Sequence, residues 1–162
     1  MGIPDIDFVE YRPEYGLEIV KMWRQSFQRA MNLEEHNHIG EVSGQLDFFC
    51  AIDPACIRVL MDKSSSTVAG FMALTPGSLD HLYINVEYQG RGLGSKLLNE
   101  AKSQSPQGLE LYTFQKNERA QKFYEARGFS VIELGFAEAA TNPWAASQDE
   151  LADIKYKWIS EI

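Results

Sequence analysis

Between Leu82 and Leu98 the chain reads LYINVEYQGRGLGSKLL. An apolar run gives way to Gln89-Gly90-Arg91-Gly92-Leu93-Gly94-Ser95, and this to residues with helical spacing. A strand that enters a glycine-rich turn and then opens a helix has a chemical use. Gly90, Gly92 and Gly94 let the backbone come close to a ligand, and the N–H groups of the first helical turn point at it with the partial positive charge of a helix start. Phosphate is the ligand such a turn suits.

Spacing discriminates among the loops that use this device. A Walker-type phosphate loop needs Gly-x-x-x-x-Gly-Lys followed by Ser or Thr, whereas Ser95 follows Gly94 and no glycine stands five residues before it. A Rossmann turn needs Gly-x-Gly-x-x-Gly; after Gly90 and Gly92 the third glycine arrives one place early, at Gly94, with Ser95 where it belongs. Glu110 lies at a fitting distance for a ribose contact, but too little chain follows for a six-stranded dinucleotide sheet. A glycine-rich turn with no ligand is the remaining local alternative.

A second segment, Asn117-Glu118-Arg119-Ala120-Gln121-Lys122-Phe123-Tyr124-Glu125-Ala126-Arg127-Gly128-Phe129, has the marks of a capped helix. Asn117 suits the N-cap, Glu118 the first turn, Arg127 the last turn and Gly128 the C′ stop. Gln89 to Gly94 resembles the Gln/Arg-x-x-Gly-x-Gly/Ala signature of the GNAT superfamily of acyl-CoA N-acyltransferases. Asn117 to Phe129 resembles the Asn-x-x-Ala-x-x-Phe-Tyr-x-x-x-Gly-Phe segment of the same superfamily. The resemblance is close over Leu79 to Leu134, and element order extends it to both ends.

The resemblance implies an α/β (α+β) GNAT fold: a mixed central sheet of about six to seven strands, splayed between the fourth and fifth, with helices on both faces. It implies acetyl-CoA as cosubstrate, with Gln89, Gly90, Arg91, Gly92, Leu93, Gly94 and Ser95 around the pyrophosphate and Asn117, Ala120, Phe123 and Tyr124 also on the coenzyme. Backbone groups at Leu82 and Ile84 would bind the pantetheine arm and polarise the thioester carbonyl. Tyr124 would protonate the leaving thiolate; its alternative is a packing residue beside Phe123. For the base, Asp80 ranks above His81, which alternation puts on the opposite strand face, and a mechanism without a dedicated base stands close behind. The reading is an N-acetyltransferase acting on a primary amine of a small molecule or peptide by direct attack. A non-catalytic acyl-CoA sensor or docking module is the alternative, and a homodimer is an expectation of the family.

His36 and His38 have His-x-His spacing, but no further carboxylate or thiol cluster completes a metal site, so no metal is expected. With Glu34 and Glu35 they are candidates for acceptor contact. Cys50 and Cys56 read as reduced, buried thiols.

These residues need elements to hold them. Ile6 and Phe8 alternate as a strand ending before Pro13; Leu17, Val20, Trp23, Phe27 and Met31 mark one helix face; and Leu46, Phe48 and Phe49 form a short second helix. Ile57 to Met61 and Val68 to Leu74 make a hairpin about Ser64–Ser66. Then follow strand Leu79 to Val86, helix Leu93 to Ser103, strand Leu109 to Phe114, helix Glu118 to Arg127, strand Ser130 to Leu134, and a closing strand at Ile154 to Trp158.

The chain has 162 residues, 44% of them hydrophobic, which fits a single domain over residues 1–162. Its net charge of −8 excludes a nucleic-acid groove and accords with a cationic acceptor. No apolar run is long enough to span a bilayer and no leader pattern is visible, so a cytoplasmic, membrane-free protein is expected.

Overall fold

The computed structural model describes residues 5–33 and 39–160. These hold strands β1 (Ile6–Val9), β2 (Ile57–Asp62), β3 (Thr67–Thr75), β4 (Ser78–Ile84), β5 (Leu109–Phe114), β6 (Ser130–Phe136) and β7 (Ala152–Trp158), and helices α1 (Gly16–Ala30), α2 (Ile39–Cys50), α3 (Leu93–Ser103) and α4 (Glu118–Glu125). The sheet order is β1-β2-β3-β4-β5-β7-β6. β4 and β5 run parallel and share one register pair, Ser78↔Glu110, while β1–β2, β2–β3, β5–β7 and β6–β7 are antiparallel. The mixed α/β fold expected from the sequence is therefore the fold observed.

The chain forms two compact units, the first running to Thr75 and resuming at Leu79–Ala101, the second comprising Pro76–Ser78 and the residues from Lys102 onward. In the first, α1 packs against both β3 and α2, and its buried arc is wider than the spacing predicts. Ile19, Val20, Met22, Trp23 and Ser26 are buried, whereas the expected core residues Leu17 and Phe27 are half-buried. The core adds Phe49, Ile57, Val59, Met61, Val68 and Phe71, each fully buried apolar side chain worth roughly 1.5–3 kcal/mol. Glu18 of α1 accepts the Val68 N–H at 2.7 Å and so fixes the start of β3 beside a register shift at Leu60/Met61. At Gly70 a Cβ would stand 2.8 Å from Ile84 Cδ1 and 3.1 Å from the Tyr83 carbonyl oxygen, so glycine lets β4 lie close to β3.

Some boundaries differ from expectation for local reasons. α2 begins at Ile39, well before Leu46, because Gly40, Ser43 and Gly44 are weak helix formers that hide its start. Cys50 is exposed and Cys56 half-buried, both as free thiols, contrary to the expected burial. Cys50 follows the fully buried Phe49 at the end of α2, and adjacent helical residues face different directions. His36, His38, Glu34 and Glu35 lie outside the described residues.

In the second unit, Leu109, Leu111, Phe129, Leu151, Ile154 and Tyr156 form the core. β6 is the terminal strand, and Val131, Ile132, Leu134 and Phe136 on it are half to two-thirds exposed. No described helix is long and apolar enough to cross a membrane.

Candidate active site

β4 ends at Ile84, two residues before the expected Val86, because Asn85 turns the chain. Its side-chain oxygen accepts the Glu87 N–H at 3.0 Å, its amide donates to the Val68 carbonyl at 3.0 Å, and its own N–H donates to Ala69 O at 2.8 Å. A 3₁₀ turn over Val86–Tyr88 then delivers the chain to the glycines. Gln89 folds back, its amide donating to Ile84 O at 3.1 Å and to Ser26 Oγ at 3.4 Å. The buried Ser26 of α1 thus steadies the turn, a role its place on an apolar helix face did not announce.

Gly90 and Gly92 have φ of +77° and +80°, the left-handed region that side chains disfavour, and a Cβ on either would meet nothing within 4 Å. The turn needs these glycines for its backbone, and open space lies over both. Such a turn can receive a phosphate at close range. Gly94 lies inside the first turn of α3, which spans Leu93–Ser103 as expected, and is not among the positive-φ glycines. The Gly92 carbonyl accepts the Lys96 N–H at 3.1 Å, closing that first helical turn. Leu93 is buried, Ser95 half-buried, and Arg91 exposed with its guanidinium 5.2 Å from the Tyr88 ring centre.

Along β4, alternation holds. Asp80 is exposed and accepts a hydrogen bond from Thr75 Oγ1 at 2.9 Å, and Leu82 and Ile84 are half-buried. On the other face His81 and Tyr83 join Trp23: ring centres lie 4.9 Å apart for Trp23–His81 and 5.8 Å for Trp23–Tyr83. Burial holds the His81 imidazole down to about 4 against a smaller upward pull from the Asp80 carboxylate, so it is neutral at pH 7. Burial pushes the Tyr83 phenol up, partly offset by a hydrogen bond from Trp23.

The other candidates belong to the second unit. Asn117 caps α4 as its sequence predicts, its side-chain oxygen accepting the Ala120 N–H at 3.1 Å. Gln121 donates to Phe114 O at 3.1 Å and Gln115 O at 2.7 Å, tying this end of the helix to β5. α4 closes at Glu125, two residues before the expected Arg127, through a Schellman motif: Phe129 N–H reaches Tyr124 O at 3.1 Å, Gly128 N–H reaches Glu125 O at 3.4 Å, and Gly128 has φ of +91°. Arg127 stacks 3.9 Å above the Phe123 ring centre and donates to Phe123 O at 2.9 Å. Tyr124 is buried, 8% exposed, against Phe123, Phe129 and Tyr156. The Tyr156 hydroxyl is committed to Glu125 at 2.6 Å.

The family model described as an acetyltransferase (GNAT) domain matches residues 47–131, just over half of the chain. The peptidyl-lysine N-acetyltransferase YjaB of Salmonella typhimurium is 28% identical over 120 residues, covering 74% of this chain and 80% of that protein. Its counterpart in Escherichia coli K12 is 28% identical over 120 residues, covering 74% and 79%. The solution structure of apo-form YjaB from Escherichia coli superposes with a TM-score of 0.72 at 22% identity, covering 96% of this chain and 98% of that one. PaiA N-acetyltransferase of Thermoplasma acidophilum, solved in complex with coenzyme A, gives 0.65 at 19% identity, covering 96% and 99%. Those structural likenesses establish the fold, and the family match establishes the chemistry class. The chain belongs to the GNAT acetyltransferase family and is an acyl-CoA-dependent acetyltransferase.

Proposed function

We propose that this enzyme transfers the acetyl group of acetyl-CoA to the primary amine of a peptide lysine, by direct attack of the amine. The observation that carries the coenzyme half is the Gly90/Gly92 turn, left-handed at both positions with open space above it. Acetyl-CoA supplies an activated acetyl thioester. Gln89 to Ser95 bind its phosphates, backbone groups at Leu82 and Ile84 hold the pantetheine arm and the carbonyl, and Asn117, Ala120 and Phe123 complete the coenzyme contacts.

The acceptor rests on the relatives, which are named as peptidyl-lysine acetyltransferases, and on a net charge of −8 that draws in a cation. A lysine ammonium must lose a proton before it attacks. Asp80, exposed on β4, takes that proton through water, because an exposed carboxylate relays it readily to solvent. His81 is the poorer candidate because it lies on the opposite face of β4, packed against Trp23, Phe48 and Tyr83. As the amine forms its bond to the acetyl carbon, the carbon–sulfur bond breaks and Tyr124 gives its phenolic proton to the departing sulfur, while the proton that the new amide nitrogen sheds returns through water to the tyrosinate. Neither Cys50 nor Cys56 carries the acetyl group, for both stand outside the two motif segments.

Tyr124→Phe tests this. It keeps the ring among Phe123, Phe129 and Tyr156 but removes the proton, so acetyl-CoA affinity should hold. The pre-steady-state transfer rate to a lysine peptide should fall about 10²-fold or more. A full-speed chemical step in this variant would remove Tyr124 from the mechanism. A panel in which small amines but no lysine peptide accept acetyl would move the acceptor class.

A further inference from the structure

Asp62, the last residue of β2, is a carboxylate only 4% exposed. Such a group persists where hydrogen bonds replace water, and here they come from two directions. Ser64 supplies its N–H at 3.1 Å and its hydroxyl at 2.6 Å, both to Oδ1. Tyr88, twenty-six positions along the chain, donates its hydroxyl to Oδ2 at 2.6 Å. These bonds hold the Asp62 carboxyl below the ordinary carboxylate range. The Ser64 contacts, with the Ser65 N–H on the Asp62 carbonyl at 3.3 Å, close the β2–β3 turn; the bond to Tyr88, whose hydroxyl also lies 3.5 Å from Ser65 Oγ, reaches elsewhere.

It reaches the glycine turn. Tyr88 is buried, immediately precedes Gln89, and carries the Arg91 guanidinium over its ring at 5.2 Å. A phenol pinned at its hydroxyl cannot pivot, so the ring becomes a fixed platform. Donation to an anion also enriches the ring in electron density, which strengthens its hold on a cation. We propose that Asp62 is a positioning residue for the coenzyme turn, acting through Tyr88 to hold Arg91 ready for a phosphate of acetyl-CoA. This rests on the acetyl-CoA reading above and adds to it two residues outside both motifs.

The test is calorimetric binding of acetyl-CoA, with steady-state kinetics, for the wild type, Tyr88→Phe, Asp62→Asn and Ser64→Ala, each also combined with Arg91→Ala. Tyr88→Phe keeps the ring but releases it from Asp62, so it should weaken binding and raise KM for acetyl-CoA with kcat unchanged, by about fivefold at most, the whole worth of an exposed cation–π contact whose alignment is lost. Asp62→Asn should do the same. In the Arg91→Ala background neither change should weaken binding further, because all three act as one unit. Ser64→Ala, which loosens the turn without touching the phenol, should lower the melting temperature and leave affinity alone. Wild-type affinity in folded Tyr88→Phe, or an undiminished loss in the Arg91→Ala background, would overturn the proposal. A wild-type protein that fails to bind acetyl-CoA would bring down the coenzyme reading, and this inference with it, before any variant is compared.

Discussion

His81 shows how a single side chain ties packing to pH. Wedged against Trp23 and Tyr83, with Phe48 5.9 Å away centre to centre, its imidazole resists protonation down to about 4, against an ordinary 6.5. Between those values the unfolded chain binds a proton that the folded chain refuses. The contribution to stability is therefore complete above pH 6.5 and is lost as pH falls toward 4, up to about 3 kcal/mol in all. Roughly 2 kcal/mol of it is gone by pH 5. Urea unfolding of the wild type and of His81→Leu at pH 7 and pH 5 should show the smaller decline in the variant. Parallel declines would mean that His81 is as readily protonated folded as unfolded.

At the scale of one element, α4 is a short helix whose position depends on its ends. Asn117 fixes the first turn, and Gly128 closes the last at a φ of +91°, where a Cβ would also touch Trp158 Cδ1 at 3.4 Å. Gly128→Ala should destabilise the protein by about 1–2 kcal/mol, seen as a lower urea midpoint at unchanged slope. An unshifted midpoint would show that the helix end relaxes without strain. Both ends were legible in the sequence because capping is local: Asn117 and Gly128 act on groups within a few residues of themselves. The same holds for the glycine turn, whose left-handed positions need glycine whatever surrounds them. Long-range pairings were not legible. Asp62 finds Tyr88, Glu18 finds Val68 and Ser26 finds Gln89 across stretches of chain that no periodicity spans. In each case an unremarkable polar residue acquires its partner only when strands and helices pack. The width of the α1 core face was hidden for the same reason, since a second packing partner, α2, added an arc that a single stripe does not describe.

For the whole molecule, charge and edge work against each other. A net charge of −8 keeps copies apart at low ionic strength. Among the described residues β6 is the terminal strand and its outer edge is unpaired, flanked by Val131, Ile132, Leu134 and Phe136, all substantially exposed. Such an edge templates another strand. Salt screens the repulsion but leaves the apolar edge intact, so warming in high salt should cloud the solution, and Leu134→Lys should clear it without loss of activity. Light scattering at matched concentration decides this, and equal turbidity for the two proteins would exonerate the strand. Because joining two edges takes two molecules, the damage is second order in protein. Doubling the concentration should roughly halve the time the enzyme survives at a given temperature, whereas inactivation by unfolding alone would keep one half-life at every dilution.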